Sequence, residues 1–249
     1  TNLAIGAGSM AAVTTAASNI AIGNRAMEKA TGQHNVFVGK SSGEGGSGGG
    51  TAKRNAALGY SSLEKITSGE DNVAVGNQAG LSIANGNKHT MVGGGAGDAQ
   101  VSGEQVTCIG YGSDASSTTV SNEITLGSSS ISTLRCQVTS ISALSDRRDK
   151  KDIKELPIGL DFINALNPVE FTWNMRDGVK VGQKEAGFIA QELDEAQQDA
   201  GVEELMNLVL KTNPEKLEAA PSKLIPVLVK AIQELSAEVK TLKLCQCNT

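Results

Sequence analysis

The first half of the chain repeats a short apolar segment that ends at a glycine. An aliphatic residue precedes this glycine eight times, at Ile5-Gly6, Ile22-Gly23, Val38-Gly39, Leu58-Gly59, Val75-Gly76, Val92-Gly93, Ile109-Gly110 and Leu126-Gly127. The spacings are 17, 16, 20, 17, 17, 17 and 17 residues. In five copies an asparagine stands four residues before the glycine: Asn2, Asn19, Asn35, Asn55 and Asn72. This regularity identifies an internal repeat whose units complete one another's core.

Each copy contains a three-residue alternating segment, such as Val73-Ala74-Val75, which is too short for a helix and predicts a strand. The small residue at its middle, as at Ala4, Ala21, Ala57 and Ala74, would let one face approach a neighbouring chain while the other packs within the chain. Only 3% of the residues are aromatic and 29 are glycine, so a single chain has little material for a core. We therefore predict a mainly β domain over residues 1–127 that trimerises to complete its core.

One interval of the repeat is lengthened by Ser41–Thr51, a glycine- and serine-rich stretch that we expect to be a mobile surface loop. Gly43-x-Gly45-x-x-Gly48 within it fits a dinucleotide fingerprint, but no strand precedes it and no helix follows it. Residues 94–98 approach a calcium-binding nonapeptide only once, with the aspartate one residue early. We predict neither a cofactor nor a metal.

The second half has the composition of an α+β domain. In order, the pattern predicts a helix over Pro157–Asn167, a strand over 169–173, a strand over Gly187–Ala190 leading into a helix from Gln191, and a strand over Leu208–Leu210.

The last predicted helix carries a heptad pattern over residues 222–244. Its apolar residues alternate in steps of three and four: Ile225, Leu228, Ile232, Leu235, Val239 and Leu242. This predicts a short coiled coil, and β-branched residues at a with leucine at d favour two strands. Because Leu224, Val229 and Ala231 widen the apolar face, we predict three chains instead. The alternative is a helix packed on its own domain.

Charge and composition exclude several classes of partner. The net charge is −5 and basic clusters are scarce, which argues against binding to nucleic acid or an anionic membrane surface. The apolar stretches are shorter than the roughly 20 residues of a membrane helix, so we predict no membrane insertion. Cysteines 108, 136, 245 and 247 lack a C-x-x-C pair, which favours free thiols and a reducing cytoplasm. The chain begins inside a repeat, so we expect it to be the C-terminal part of a longer protein.

The two halves meet at Leu144–Lys151, where a serine is followed by two lysines. A serine nucleophile and a lysine base are the minimum that Ser/Lys peptide cleavage requires, although serines near lysines are common on solvated loops. Ser145 to Ile153 resembles the start of the intramolecular chaperone domain of phage endosialidases and tail fibres, also called peptidase S74. Residues 187–192, Leu224-Ile225-Pro226 and residues 230–235 are similar to later landmarks of that family, in the same order.

The resemblance implies a C-terminal chaperone, residues 145–249, which trimerises a fibre and cuts itself off at the Leu144–Ser145 bond. It implies that Ser145 is the nucleophile and Lys150 its general base; Asp146 would orient the site or cap a turn, and Lys151 is the reserve base. Five extended residues span about 17 Å, so either a turn over 146–149 folds Lys150 back or the lysine serves a neighbouring chain's serine. A lysine accepts a proton only when desolvation or nearby cations favour the neutral amine.

The glycine repeats resemble the head repeats of trimeric autotransporter adhesins and similar repeats in phage tail fibres, which implies that residues 1–127 form a trimeric parallel β-roll or β-helix-like fibre. Residues 128–144, rich in Ser, Thr and aliphatic residues, would be an extended, intertwined neck at the fibre tip. The resemblance implies a virion tail fibre, assembled in the host cytoplasm, that reaches a cell-surface glycan or outer-membrane protein. Residues 1–144 contain no convincing hydrolase constellation. The alternatives are a glycan-degrading tailspike with its catalytic domain upstream, a trimerisation domain that is retained without cleavage, and a bacterial adhesin.

Overall fold

The computed structural model describes residues 1–137, 141–176 and 178–246. The chain forms two compact units, Thr1–Leu134 and Arg135–Thr249. The domain limits predicted from the sequence, after residues 127 and 144, lie on either side of this division.

The first unit is a parallel β-solenoid. Its eight strands are β1 (Leu3–Ile5), β2 (Ile20–Ile22), β3 (Val36–Val38), β4 (Ala56–Leu58), β5 (Val73–Val75), β6 (Thr90–Val92), β7 (Thr107–Ile109) and β8 (Ile124–Leu126). They pair in sequence order in one parallel sheet, with equivalent residues opposite one another, so that Ala74 lies between Ala57 and Met91. The predicted mainly β fold of stacked repeats is confirmed.

The middle residue of each inner strand points into the solenoid. These buried residues are Ala21, Phe37, Ala57, Ala74, Met91 and Cys108. They pack in one cluster with larger side chains from the turns, such as Leu63, Ile66 and Ile83. The flanking strand residues point outward, and Val73 and Val75 each remain 39% exposed. The prediction that the small residues face a neighbouring chain is therefore wrong: they pack within the chain, and the face with the larger apolar residues is left uncovered.

The glycine after each strand is required by close stacking of the turns. Gly59 has φ +143°, and a Cβ built on it would lie 2.2 Å from the carbonyl oxygen of Gly76. Gly76 stands in the same relation to Gly93, at 2.3 Å. Because a side chain fits neither this conformation nor this space, the repeat keeps glycine here.

The repeated asparagines form a buried hydrogen-bond ladder. The Oδ1 atom of Asn55 accepts from the backbone N–H and the Nδ2 of Asn72, both at 3.0 Å. The Nδ2 atom of Asn55 donates to the Gly69 carbonyl at 2.9 Å and to the Oδ1 of Asn35 at 3.1 Å. The same pattern joins Asn2, Asn19 and Asn35. Each amide thereby satisfies backbone groups of an adjoining turn that cannot reach water.

His89 continues this ladder in the copy that lacks the asparagine. Its N–H donates to the Oδ1 of Asn72 at 2.9 Å, and its Nδ1 accepts from the Val106 N–H at 3.1 Å. Because Nδ1 accepts a hydrogen bond, the neutral ring carries its proton on Nε2. This Nε2 atom is buried and has no hydrogen-bond partner among the described residues. Burial lowers the pKa of His89, and the Glu104 carboxylate offsets this effect only in part.

The expected mobility of the Ser41–Thr51 stretch is wrong for its first five residues. Residues 41–45 are buried, and the Glu44 carboxylate bonds to Arg25 at 2.5 Å and to Lys29 at 3.0 Å. Gly43, with φ +55°, lies against the Phe37 ring, where no side chain would fit. Composition suggested flexibility, but glycine here lets the backbone close onto the core of an adjoining turn.

The second unit contains four α-helices, two 3₁₀ turns and two small sheets among its described residues. In chain order, the elements are the 3₁₀ turn Arg147–Asp149, α1 (Leu160–Ala165), β9 (Val169–Thr172), β10 (Lys184–Gly187), α2 (Ala190–Asp199), α3 (Glu203–Met206), β11 (Val209–Leu210), β12 (Glu218–Ala219), the 3₁₀ turn Pro221–Leu224 and α4 (Ile225–Gln246). The pairs β9–β10 and β11–β12 are antiparallel. The predicted α+β composition is confirmed. Several bounds differ from the prediction: α1 is shorter at both ends, β9 ends at Thr172, the strand before α2 ends at Gly187, α2 begins at Ala190 and β11 begins at Val209.

Helix α4 presents two different faces. Val227 and Ala231 are buried, and Glu234 accepts the Leu160 N–H at the start of α1 at 2.7 Å. The heptad residues point elsewhere and stay exposed: Ile225, Leu228, Ile232, Leu235, Val239 and Leu242. Leu224 and Ala231 belong to the packed face, so they do not widen the exposed stripe as predicted, whereas Val229 is 50% exposed.

The predicted neck, 128–144, forms neither helix nor strand in its described residues, 128–137 and 141–144. The predicted segment around Val138, Thr139 and Ser140 lies outside the described residues, as does Cys247. The apolar side chains of Leu134, Ile141 and Leu144 are exposed.

Candidate functional site

A short 3₁₀ turn organises the residues after Leu144. Asp146 is its N-cap in an extended conformation, and its Oδ1 accepts from the Arg148 N–H at 2.8 Å. Asp149 and Lys150 close the turn by donating to the carbonyls of Asp146 and Arg147, each at 3.2 Å. Of the two roles considered for Asp146, the structure has the turn-capping one.

This turn brings Lys150 back to Ser145. The Lys150 Nζ donates to the Ser145 Oγ of the same chain at 2.6 Å. The five-residue offset would keep these side chains apart in an extended strand, so the 3₁₀ turn supplies the reversal that the spacing required. The two residues suggested by the resemblance are therefore in direct contact. Among the described residues, Lys151, the reserve base, bonds neither to Ser145 nor to an acid.

Arg148 fixes the capping residue. Its guanidinium donates to both oxygens of Asp146, at 3.1 and 2.7 Å. The Arg148 side chain and backbone N–H hold the pKa of the Asp146 carboxyl below its ordinary value, and the carboxylate raises the pKa of Arg148. The sequence alone did not predict this contact. The i, i+2 placement of Arg148 after a capping aspartate is the signal that could have identified it.

The whole site is open to solvent in the single chain. Ser145 and Lys150 are exposed, and the Leu144 side chain on the other side of the bond is 83% exposed. Water therefore reaches both groups in the single chain, whereas burial of this segment in an assembly would exclude it.

The remaining chemistry of the described residues is limited. In residues 1–137, 141–176 and 178–246, no group of three or more His, Cys, Asp or Glu is placed to hold a metal ion. None of the described helices combines the length and the apolar character needed to span a membrane.

A family model described as the chaperone of endosialidase, Peptidase_S74, matches residues 145–202. The match begins at the serine of the Ser145–Lys150 pair and covers the 3₁₀ turn, α1, β9, β10 and α2. It supports a chaperone domain in the second unit. The searches of curated proteins and of solved structures found no match to this chain.

Proposed function

We propose that residues 145–249 are an intramolecular chaperone that assembles the β-solenoid into a homotrimer and then cleaves itself off at the Leu144–Ser145 bond. The observation that carries this proposal is the 2.6 Å contact between Lys150 and Ser145 at the first residue of the family match. A serine held by a lysine, directly after the bond to be cut, is the arrangement that self-cleavage needs.

The cleavage begins when the Ser145 Oγ attacks the carbonyl carbon of Leu144. Neutral Lys150 takes the hydroxyl proton, the bond between the Leu144 carbon and the Ser145 nitrogen breaks, and Lys150 returns the proton to that nitrogen. The acyl group of Leu144 is then an ester on the Ser145 Oγ. Water hydrolyses this ester and leaves a Leu144 carboxylate and a free Ser145 amino group. Asp146 acts as a positioning residue through the turn that it caps.

Two uncovered apolar surfaces support assembly of identical chains. In the solenoid, the outward residues of the strands form an apolar face that includes Leu58, Val73, Val75 and Ile109. In the second unit, the heptad stripe of α4 is exposed along 225–242. Large contiguous apolar surfaces of this kind are interaction sites, and a repeat with so thin a core gains stability when copies cover one another.

The biological setting follows from the two units together. The solenoid would form the distal part of a phage tail fibre assembled in the host cytoplasm and carried on the virion. Residues 128–144 would become its tip after cleavage and would contact a host glycan or outer-membrane protein. The second candidate is a trimerisation domain that stays attached, because the exposed Ser145–Lys150 pair is competent for cleavage only once the neutral amine is favoured.

Denaturing gels and intact masses test the cleavage directly. Wild-type protein should give two chains with a new amino terminus at Ser145, whereas Ser145→Ala and Lys150→Ala should each give one uncut chain. Lys151→Ala is the matched control, since it removes an adjacent lysine that does not touch the serine, and it should still be cut. Cleavage that persists in Ser145→Ala would refute the proposed nucleophile, and an uncut wild type would favour the retained trimerisation domain.

Native mass spectrometry of the uncut Ser145→Ala protein tests the assembly separately. We expect a homotrimer. A stable monomer would refute the assembly role and leave the two apolar surfaces without an explanation.

A further inference from the structure

The second unit contains a groove lined by residues of α1, α2 and α4. It has a volume of about 610 Å³, and its apolar floor includes Phe162, Leu166, Phe188 and Leu193. Pockets of this size bury a peptide side chain or a ligand of moderate size.

The rim of this groove is acidic, and three of its carboxylates are unpaired. Glu192 accepts from Asn167 at 3.0 Å, and Glu234 is held by Leu160 and Lys230. Asp161, Glu195 and Asp199 also line the groove, and none of the three forms an ion pair or a side-chain hydrogen bond with another described residue. An apolar floor below free carboxylates fits a peptide that combines apolar and basic residues.

The cleavage segment of this same chain has that chemistry. Residues 141–151 begin with Ile141 and Leu144, which are 99% and 83% exposed. They continue with four basic residues, Arg147, Arg148, Lys150 and Lys151. Arg148 is paired with Asp146, whereas Arg147 and Lys151 form no ion pair with a described residue. Residues 141–144 would span about 10 Å when extended, so their apolar side chains can enter the groove while the 3₁₀ turn keeps Lys150 on Ser145.

We infer that the groove of one chain binds the cleavage segment of a second copy. In its own chain the segment forms the exposed 3₁₀ turn and leaves the groove free. Leu144 or Ile141 of the neighbouring chain would fill the apolar floor, and the cations that follow would meet Glu195 and Asp199. This inference rests on the proposed homotrimer and adds a mechanism to it. Cleavage depends on assembly because each groove shields a neighbour's Ser145–Lys150 pair from water.

Zero-length carbodiimide crosslinking of the uncut, full-length Ser145→Ala protein tests the contact without relying on cleavage. We expect chains joined between Lys150 or Lys151 and Glu195 or Asp199, seen as dimer and trimer bands and mapped by mass spectrometry. Replacing these acids in Glu195→Gln/Asp199→Asn should reduce the bands about tenfold, because the ion pairs are lost. The matched control Glu204→Gln, which changes an exposed, unpaired acid outside the groove, should leave them unchanged. Bands that survive the double replacement, or crosslinks confined within one chain, would overturn the inference.

Co-expression then separates action within a chain from action between chains. A cleavable chain with Glu195→Lys/Asp199→Lys should be cut at least about tenfold less than wild type when expressed alone. Lysines near the end of α2 suit the helix dipole, so this variant should fold. With an excess of a longer, uncuttable Ser145→Ala chain whose groove is intact, cleavage of the first chain should return. If it does not return although native masses show mixed trimers, the groove does not act on a neighbour.

A result in this experiment is distinguishable from failure of the proposed function. Uncut wild type or a monomeric mass would count against the self-cleaving chaperone itself. Normal cleavage by the charge-reversed chain alone, with trimers intact, would count against the groove only.

Discussion

Replacing Asn55 by alanine should destabilise the solenoid at its fourth turn. The side chain is 1% exposed, and its removal deprives the Asn72 N–H of its acceptor and the Gly69 carbonyl of its amide donor. An orphaned buried polar group costs roughly 1 to 3 kcal/mol, so two such groups imply about 2 to 6 kcal/mol. For a unit of this size we expect a fall in Tm of about 10 °C.

The assay is thermal denaturation followed by circular dichroism on uncut Ser145→Ala protein at a fixed chain concentration. Asn77→Ala is the matched control, since it removes an exposed amide two residues after β5 and should shift Tm little. Asn55→Asp provides the second comparison. It places a carboxylate oxygen against the Gly69 carbonyl and the Asn35 Oδ1, where a donor stood, so it should be more damaging than alanine.

The three variants should therefore rank Asn55→Asp, Asn55→Ala, Asn77→Ala in order of decreasing damage. A Tm for Asn55→Ala equal to that of Asn77→Ala would refute the ladder as a source of stability. If Asn55→Asp and Asn55→Ala have the same Tm, water reaches the site and the ladder is accessible to solvent.

Three further changes probe other parts of the chain. Gly59→Ala should prevent a correctly stacked turn, because its Cβ would lie 2.2 Å from a carbonyl oxygen of the next turn, whereas Gly48→Ala meets nothing within 4 Å; limited proteolysis should cut only the first variant faster. Leu235→Asp in the heptad stripe should yield monomers by native mass spectrometry, whereas Ala237→Asp outside the stripe should not, and trimers in both would contradict the coiled coil. Burial lowers the pKa of His89 from its ordinary value of 6.5, so the unfolded chain takes up a proton first as the pH falls. Tm should therefore decrease once the pH is below about 6.5, and His89→Asn should weaken this pH dependence.

The repeat could be predicted from the sequence because it is local and periodic. The glycine after Val75 and the asparagine before Val73 recur with the strand, so their spacing reports the turn directly. The continuation of the ladder through His89 was missed, because its Nδ1 performs the accepting role of an amide oxygen without resembling asparagine in the sequence. The inward strand face was predicted wrongly, since alanine and valine are both apolar; the stacking of turns decides which face is buried by admitting only small residues at most middle positions.

Long-range contacts explain the other features of the structure that the sequence did not predict. Glu44 is fixed by Arg25 and Lys29, which lie 19 and 15 residues before it, so the composition of its own segment gave no sign of order. At the candidate site, the resemblance suggested Ser145 and Lys150, but their contact depends on the Asp146 cap. The acidic groove was not predicted at all, because its carboxylates come from separate helices and form no motif.

Because α4 has two faces, folding of the second unit and assembly of copies depend on different residues of this helix. Val227 and Glu234 hold α1 and the hydrophobic core, so changes there should damage the unit itself. Ile232 is 66% exposed on the heptad stripe, so a change there should affect assembly while leaving the unit folded. Since Leu224 and Ala231 lie on the packed face, the width of the stripe no longer favours three chains over two. The thin solenoid with its uncovered strand face therefore becomes the stronger argument for a trimer, because a repeat with an interior of mostly small residues gains most from burying that face between several copies.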